Sequence, residues 1–114
     1  MFTIYHNPRC SKSRQTLALL EQHGVTPKVV EYLKTPLTIA ELKIVLSKLK
    51  MSARQVLRDK EAVYKDLNLG DTTLSDSDLL TALQQNPKLL ERPIVVHGDH
   101  AVIGRPPENV LSLL

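Results

Sequence analysis

Residues 4–14 constrain the fold more than any other stretch, because the hydrophobic pattern changes its period there and the only cysteine lies at the change. Residues 2–5 are all either β-branched or aromatic, which is typical of a short strand. The leucines between residues 17 and 20 instead fit the period of a helix. The sequence therefore predicts that Cys10 lies in a turn from a strand to a helix.

The size and composition of the chain fit one ordinary domain. It has 114 residues, of which 42% are hydrophobic and 24% charged, as in globular proteins. No apolar run approaches the roughly 20 residues of a membrane-spanning helix, and the first residues do not resemble a signal peptide. A single unpaired cysteine suits a reducing compartment. We therefore expect one domain, residues 1–114, in the cytoplasm and without a membrane partner.

The charge pattern argues against a nucleic-acid partner. The formal net charge is only +3, and the chain contains no Trp and one Phe. Nucleic-acid-binding surfaces usually combine a strong basic patch with aromatic residues. A modest positive charge suits a small anion better.

The first half of the chain predicts a β-α-β unit followed by helices. The first helix is predicted from Cys10 or Ser11 to Gly24, which can form a left-handed cap. Residues 28–32 form the second strand, which a right-handed crossover places parallel to the first. A helical insertion then follows, with capping boxes at Thr38/Glu41 and Ser75/Asp78 and a further helical stretch from about residue 52 to residue 67. The first half of the chain is therefore predicted to form a β-α-β unit followed by a helical insertion.

The second half predicts a β-hairpin and a short final helix. Residues 94–96 and 101–103 are apolar runs joined by Gly98–Asp99, which favours a tight turn of type II′. The order of elements resembles a thioredoxin-like domain with a helical insertion between the second and third strands. We therefore predict an α/β fold with a mixed four-stranded sheet flanked by helices.

The position of Cys10 favours a reactive thiol. A thiolate at a helix N-terminus is stabilised by the helix dipole and by unpaired backbone N–H groups, and Arg9, Lys12 and Arg14 add positive charge. These effects lower the pKa of a cysteine. The alternative is a buried structural cysteine, but the polar and turn-forming neighbours favour reactivity.

Two familiar thiol motifs are absent at this turn. A C-x-x-C dithiol would need a cysteine at the position of Ser13, and a phosphatase-type loop would need an arginine at the position of Thr16. The site is therefore predicted to be a monothiol that takes its second thiol from outside the chain. Ser13 can direct its hydroxyl at the thiolate or cap the helix, and His6 can tune Cys10 or serve as a hydrogen-bonded structural residue.

Three arginines stand at the ends of predicted elements and could bind an oxyanion with their forked donors: Arg58, Arg92 and Arg105. Arg92 precedes Pro93, where thioredoxin-like folds place a cis proline beside the active cysteine. The alternative is that each arginine is a solvated surface residue. Spacing alone does not separate Arg58 from Arg54.

Four blocks of the sequence together resemble the glutaredoxin-coupled arsenate reductases, and their short bacterial members above all. The blocks are residues 4–14, 53–58, 86–96 and 104–106. The resemblance implies a cysteine that attacks arsenate to form a thiol-arsenate adduct. It also implies that glutathione displaces this adduct to a mixed disulfide, that glutaredoxin removes the glutathione, and that arsenite leaves.

The resemblance assigns roles to individual residues. It places the nucleophile at Cys10 and selects Arg58 over Arg54. The three oxyanion-binding residues that it implies are Arg58, Arg92 and Arg105. It also matches His6 and Ser13 to residues that assist the thiolate, to which Arg14 is added by its charge. No bound cofactor or metal is expected, with glutathione as co-substrate.

The chain departs from the longer reductases of this family because it ends at Leu114 without their C-terminal tail. Redox-sensing regulators share the fold, but they typically carry the C-x-x-C that Ser13 removes here. Two other functions are compatible with the pattern: a glutathione-dependent thiol reductase and a non-catalytic thioredoxin-like regulator.

Overall fold

The computed structural model describes residues 1–114 and divides the chain into two compact units, residues 1–35 with 92–114, and residues 36–91. The strands and α-helices are β1 (Phe2–His6), α1 (Ser11–Gln22), β2 (Lys28–Glu31), α2 (Ile39–Leu49), α3 (Ala62–Asp66), α4 (Asp76–Gln85), β3 (Ile94–His97) and β4 (His100–Ile103). Three 3₁₀ helices cover Arg54–Val56, Pro87–Leu89 and Pro107–Leu113. The second unit corresponds to the helical insertion predicted between β2 and β3, and the assignment of the whole chain to one domain stays a prediction.

The first unit contains one four-stranded sheet in the order β2-β1-β3-β4. β1 pairs with β2 in parallel and with β3 in antiparallel orientation, and β3 pairs with β4 in antiparallel orientation. This confirms the predicted mixed sheet. The first helix ends as predicted, with Gly24 in the left-handed region at φ 79°.

The turn between β3 and β4 is the predicted tight turn. His97 pairs with His100, so that Gly98 and Asp99 are its two central residues. Gly98 has φ 60°, whereas Asp99 is not among the residues with positive φ. A positive φ at the first central residue alone distinguishes type II′ from type I′.

An apolar cluster fixes the sheet, α1 and the C-terminal 3₁₀ helix to one another. Its buried members are Ile4, Leu20, Val95, Val110 and Leu113. Burying an aliphatic side chain of this size stabilises a fold by about 1.5–3 kcal/mol. The strand and the helix on either side of Cys10 are therefore anchored by the core of this unit.

The second unit confirms two predicted helices and corrects a third. Complete capping boxes open α2 and α4. The continuous helix predicted from residue 52 to residue 67 is wrong, because the chain forms a 3₁₀ helix, becomes extended at Leu57 and turns helical again only at α3. Leu57 forms an antiparallel bridge with Leu90, and this non-local pairing overrides the local helical pattern.

None of the helices is both long enough and apolar enough to span a membrane.

Candidate active site

Cys10 is the N-cap residue of α1, as predicted. Its backbone is extended, with φ −94° and ψ 122°. Its N–H donates to the carbonyl of Asn7 at 3.0 Å, and its carbonyl accepts from the N–H of Arg14 at 3.0 Å. No side chain caps the helix, and its first turn contains no acidic residue. The thiol therefore lies at a helix N-terminus that has neither a capping side chain nor a nearby carboxylate.

The environment lowers the pKa of the Cys10 thiol below its ordinary value. Burial alone raises this pKa, because it disfavours the charged form. The backbone N–H of Ser13 and the charge of Arg92 lower the pKa, and the backbone N–H of Lys12 and a hydrogen bond from Arg92 add to the effect. The lowering effects outweigh burial, so the thiolate forms more readily than in a free cysteine.

The charged neighbours in sequence have other partners or face the solvent. The guanidinium of Arg14 donates to the carbonyl of Pro8 at 2.8 Å. The side chain of Arg9 is exposed. The lowering at Cys10 thus comes from helix N–H groups and from Arg92, and the assignment of Arg14 to thiolate tuning stays a prediction.

Ser13 and His6 flank the turn that holds Cys10, and their side chains form a buried hydrogen bond. The Oγ of Ser13 lies 2.6 Å from Nδ1 of His6 and accepts the N–H of Asn7 at 3.0 Å. Ser13 therefore ties the turn to β1 rather than capping α1. Burial lowers the pKa of His6, Glu31 opposes this by raising it, and Arg14 lowers it further. His6 is consequently a neutral imidazole at pH 7.

Arg92 and Arg105 belong to the same unit as Cys10. Nη1 of Arg105, directly after β4, lies 3.9 Å from Sγ of Cys10. The peptide bonds Arg92–Pro93 and Arg105–Pro106 are both cis, the first of which is the cis proline expected from the fold. A partly buried thiolate beside two guanidinium groups is an arrangement that can bind an oxyanion and attack it.

Thr16 also belongs to this site, although its position in the sequence indicates only that a phosphatase-type loop is absent. Its side chain is fully buried. Its hydroxyl shares its single hydrogen between the carbonyl of Lys12, at 2.8 Å, and that of Gly104, at 3.2 Å. The spacing of Thr16 in the sequence is the signal that could have indicated its burial, because Ser13, Thr16 and Leu20 lie on one face of a helix. These three residues are the buried ones of α1.

Arg58 belongs to the second unit, and carboxylates surround its guanidinium. It pairs with Glu61 and, at 3.6 Å, with Glu91. Arg54, its rival in the sequence, donates to the carbonyls of Leu69 at 2.9 Å and Asp71 at 3.0 Å. Arg54 therefore stabilises a loop of its own unit, whereas the guanidinium of Arg58 forms ion pairs with two carboxylates.

No group of three or more His, Cys, Asp or Glu side chains is arranged to hold a metal ion.

The chain is similar to known proteins over nearly its whole length. Residues 5–113 match the model of the ArsC family. The uncharacterized protein YfgD of Escherichia coli K12 is 57% identical over 112 residues, which cover 97% of this chain and 94% of the relative. The arsenate reductase of Haemophilus influenzae is 49% identical over 112 residues, 97% of each chain.

Solved structures agree with this result. The structure of an arsenate reductase from Vibrio cholerae superposes with a TM-score of 0.97 at 53% sequence identity, covering 99% of this chain and 97% of the other. This likeness confirms the predicted thioredoxin-like fold with its mixed four-stranded sheet. Family model, relatives and structural neighbour all cover nearly the whole chain, and the protein therefore belongs to the ArsC family.

Proposed function

We propose that this protein reduces arsenate to arsenite, with Cys10 as the nucleophile. The observation that carries the proposal is the convergence on one thiol of three features: the helix N–H groups, the charge of Arg92 and the guanidinium of Arg105 at 3.9 Å. Arsenate reductases among its relatives, such as that of Haemophilus influenzae, support the choice of oxyanion.

The reaction starts with attack of the Cys10 thiolate on arsenic. A sulfur–arsenic bond forms, and one arsenate oxygen leaves as water after protonation, so that arsenic stays pentavalent. The thiolate of glutathione then attacks the sulfur of Cys10. A disulfide forms, the sulfur–arsenic bond breaks, and its electron pair stays on arsenic, which leaves as arsenite.

The mixed disulfide must be reduced before a second turnover. Cys10 is the only cysteine in the chain, so no internal thiol can resolve it. A glutaredoxin thiolate therefore attacks the glutathione sulfur and restores the Cys10 thiolate by thiol–disulfide exchange. Because these donors operate in reducing compartments, the cytoplasm is the proposed location.

The arginines neutralise the anion during attack. Arg92 and Arg105 lie in the unit that carries the thiol, and a guanidinium matches two oxygens of a tetrahedral oxyanion. Arg58 is the third proposed ligand, on the resemblance of residues 53–58 to the family. His6 and Ser13 hold the turn that presents the thiol, since they hydrogen-bond to each other behind it.

The decisive experiment is a reconstituted assay. Purified protein is mixed with glutathione, glutaredoxin, glutathione reductase and NADPH, and arsenate-dependent oxidation of NADPH is followed. We expect turnover that saturates with arsenate, requires both glutathione and glutaredoxin, and is absent from Cys10→Ser. Equal rates for wild type and Cys10→Ser at every arsenate concentration would refute the proposal, and equal rates with thioredoxin in place of glutaredoxin would refute the choice of donor.

A glutathione-dependent thiol reductase is the second candidate, since a lone thiol with a lowered pKa suits attack on mixed disulfides. The same assay with a glutathionylated peptide replacing arsenate separates the two. A higher kcat/KM with the peptide would favour this candidate. Activity with neither substrate, together with co-purification of a partner that survives Cys10→Ser, would favour a non-catalytic regulator.

A further inference from the structure

Thr16 connects two segments that are distant in sequence and both close to the thiol. Its buried hydroxyl shares its single hydrogen between the carbonyl of Lys12 within α1, at 2.8 Å, and the carbonyl of Gly104, at 3.2 Å. α1 is the helix whose N-cap is Cys10. Gly104 immediately precedes Arg105. One side chain therefore ties the helix of the nucleophile to the backbone that carries an arginine beside it.

The backbone at Gly104 is held on both of its polar groups and packed without space. Its N–H donates to the carbonyl of Pro93 at 2.9 Å. A Cβ at this position would lie 2.6 Å from Oγ1 and 2.9 Å from Cγ2 of Thr16, and 2.9 Å from Cγ of Pro93. The backbone just before Arg105 therefore packs directly against Thr16, with no room for a side chain between them.

The side chain of Arg105 is less restrained than its backbone. It is exposed, and its one side-chain hydrogen bond is the 3.9 Å contact with Sγ of Cys10. No carboxylate pairs with it. The guanidinium therefore stays at the thiol only as long as the backbone keeps its place, and Thr16 supplies the bond from that backbone to α1.

We propose that Thr16 is a positioning residue that holds the guanidinium of Arg105 at Cys10 through the carbonyl of Gly104. The proposal deepens the proposed function, since it rests on Arg105 binding the anion that Cys10 attacks. Thr16 does not touch the reacting atoms and acts only through Arg105.

A purely structural role for Thr16 would have a different consequence. Threonine hydroxyls often donate to the carbonyl four residues earlier in a helix, as Thr16 does to Lys12. Thr81 in α4 makes the same kind of bond to the carbonyl of Ser77, at 3.0 Å, and has no bond to another segment. Thr81→Val is therefore a matched control that removes the helical bond alone.

The test compares the alkylation of Cys10 by anionic iodoacetate with its alkylation by neutral iodoacetamide. Both reagents react with the thiolate, so the ratio of their rates is independent of the thiol pKa. A positive charge near the sulfur raises this ratio. We expect Arg105→Gln and Thr16→Val each to lower it by about threefold to fivefold, and the double variant to lower it no further. Thr16→Ser and Thr81→Val should keep the wild-type ratio.

An unchanged ratio in folded Thr16→Val, or a double variant equal to the product of the two single effects, would overturn the proposal. So would an unchanged ratio in Arg105→Gln. If Thr16→Val does not fold by circular dichroism, Thr16→Ala takes its place in the same comparison. The readout needs no arsenate, so failure of the arsenate assay in wild type would sink the proposed function while leaving this result intact.

Discussion

The N-termini of α2 and α4 in the second unit are built in the opposite way to that of α1 in the first unit. In the second unit, Thr38 accepts the N–H of Glu41 and the carboxylate of Glu41 accepts the N–H of Thr38, both at 3.1 Å. Ser75 and Asp78 repeat this arrangement at α4. In the first unit, α1 starts at Cys10 with no capping side chain and no acidic residue in its first turn.

The difference shows how helix stability is exchanged for reactivity. A capping side chain satisfies free N–H groups and contributes about 1 kcal/mol to a helix. At α1 the N–H groups of Lys12 and Ser13 instead lower the pKa of Cys10. A carboxylate in this turn would both occupy these groups and repel an oxyanion.

The arginines follow the same division between the units. Arg58 in the second unit is paired with Glu61 and Glu91, whereas Arg105 in the first unit has no carboxylate partner. The positive charge of Arg105 thus stays available beside the thiol, whereas that of Arg58 is neutralised within the insertion.

Replacing the thiol by a capping hydroxyl should convert the N-terminus of α1 into one like those of α2 and α4. We expect Cys10→Ser to lose arsenate turnover by at least about a thousandfold, because no nucleophile remains. Serine is a favoured N-cap, so the free energy of unfolding should stay unchanged or rise by up to about 1 kcal/mol. The measurements are NADPH oxidation and urea unfolding.

A loss of stability beyond about 1 kcal/mol in Cys10→Ser would contradict this reading, because it would show that the thiol itself holds the fold. Cys10→Ala is the companion variant, since it removes the thiol without adding a cap. Cys10→Ala should be less stable than Cys10→Ser.

The second prediction concerns Arg92, whose charge and hydrogen bond lower the pKa of Cys10. Removing this charge in Arg92→Gln raises that pKa, so less thiolate is present at neutral pH. The rate of alkylation by iodoacetamide at pH 7 should fall by about threefold to tenfold. Its pH midpoint, which in wild type lies below the free-cysteine value of about 8.5, should move upward.

Arg9→Gln provides the control for a general loss of charge. Arg9 is exposed one residue before Cys10, and its removal should move the midpoint less than removal of Arg92. A larger shift from Arg9→Gln would restore the sequence-based expectation that the neighbours in the turn govern the thiol.

The third prediction concerns the N-termini of α2 and α4, which have capping boxes. Thr38→Ala removes the acceptor for Glu41 N–H in α2 and should cost about 1 kcal/mol of unfolding free energy. Cys10 alkylation should not change, because no group that sets the pKa of the thiol is affected. Thermal unfolding and the iodoacetamide rate check the two halves of the prediction, and Ser75→Ala repeats the test at α4. An alkylation rate that falls with stability would instead mean that the insertion governs the reactivity of the thiol.

The sheet and the position of Cys10 could be predicted from the sequence because their signals are local. Strand and helix periods, a glycine cap and a two-residue turn each depend on neighbouring residues. The capping boxes are equally local, since Thr38 and Glu41 stand at the required spacing. Leu57 shows where this ends: its pattern is helical, and only its pairing with Leu90 makes it extended.

The sequence could predict which residues form the candidate site, but not which partners they contact. Cys10, Arg92 and Arg105 could be selected by spacing, prolines and resemblance. Their partners could not, because Thr16 reaches Gly104 and Arg58 reaches Glu91 across long separations in the chain. Spacing also did not reveal that the hydroxyl of Ser13 bonds to His6 and Asn7, and the part of Ser13 in tuning the thiolate stays a prediction.

The smallest expected effect concerns the neutralised arginine of the insertion. Glu61 is the closer of the two carboxylates on Arg58, and both partners are only about one quarter exposed (24% and 28%). An ion pair near the surface contributes about 0.2–1 kcal/mol, so an oxyanion that recruits Arg58 must overcome a free energy of that order. We expect Glu61→Gln to lower the KM for arsenate by about twofold with kcat unchanged, and Glu21→Gln, an exposed acid in α1, to leave both constants as in wild type. A KM that rises in Glu61→Gln would show that Glu61 orients Arg58 for the anion rather than competing with it, and the contrast between the two units would then lie in their helix caps alone.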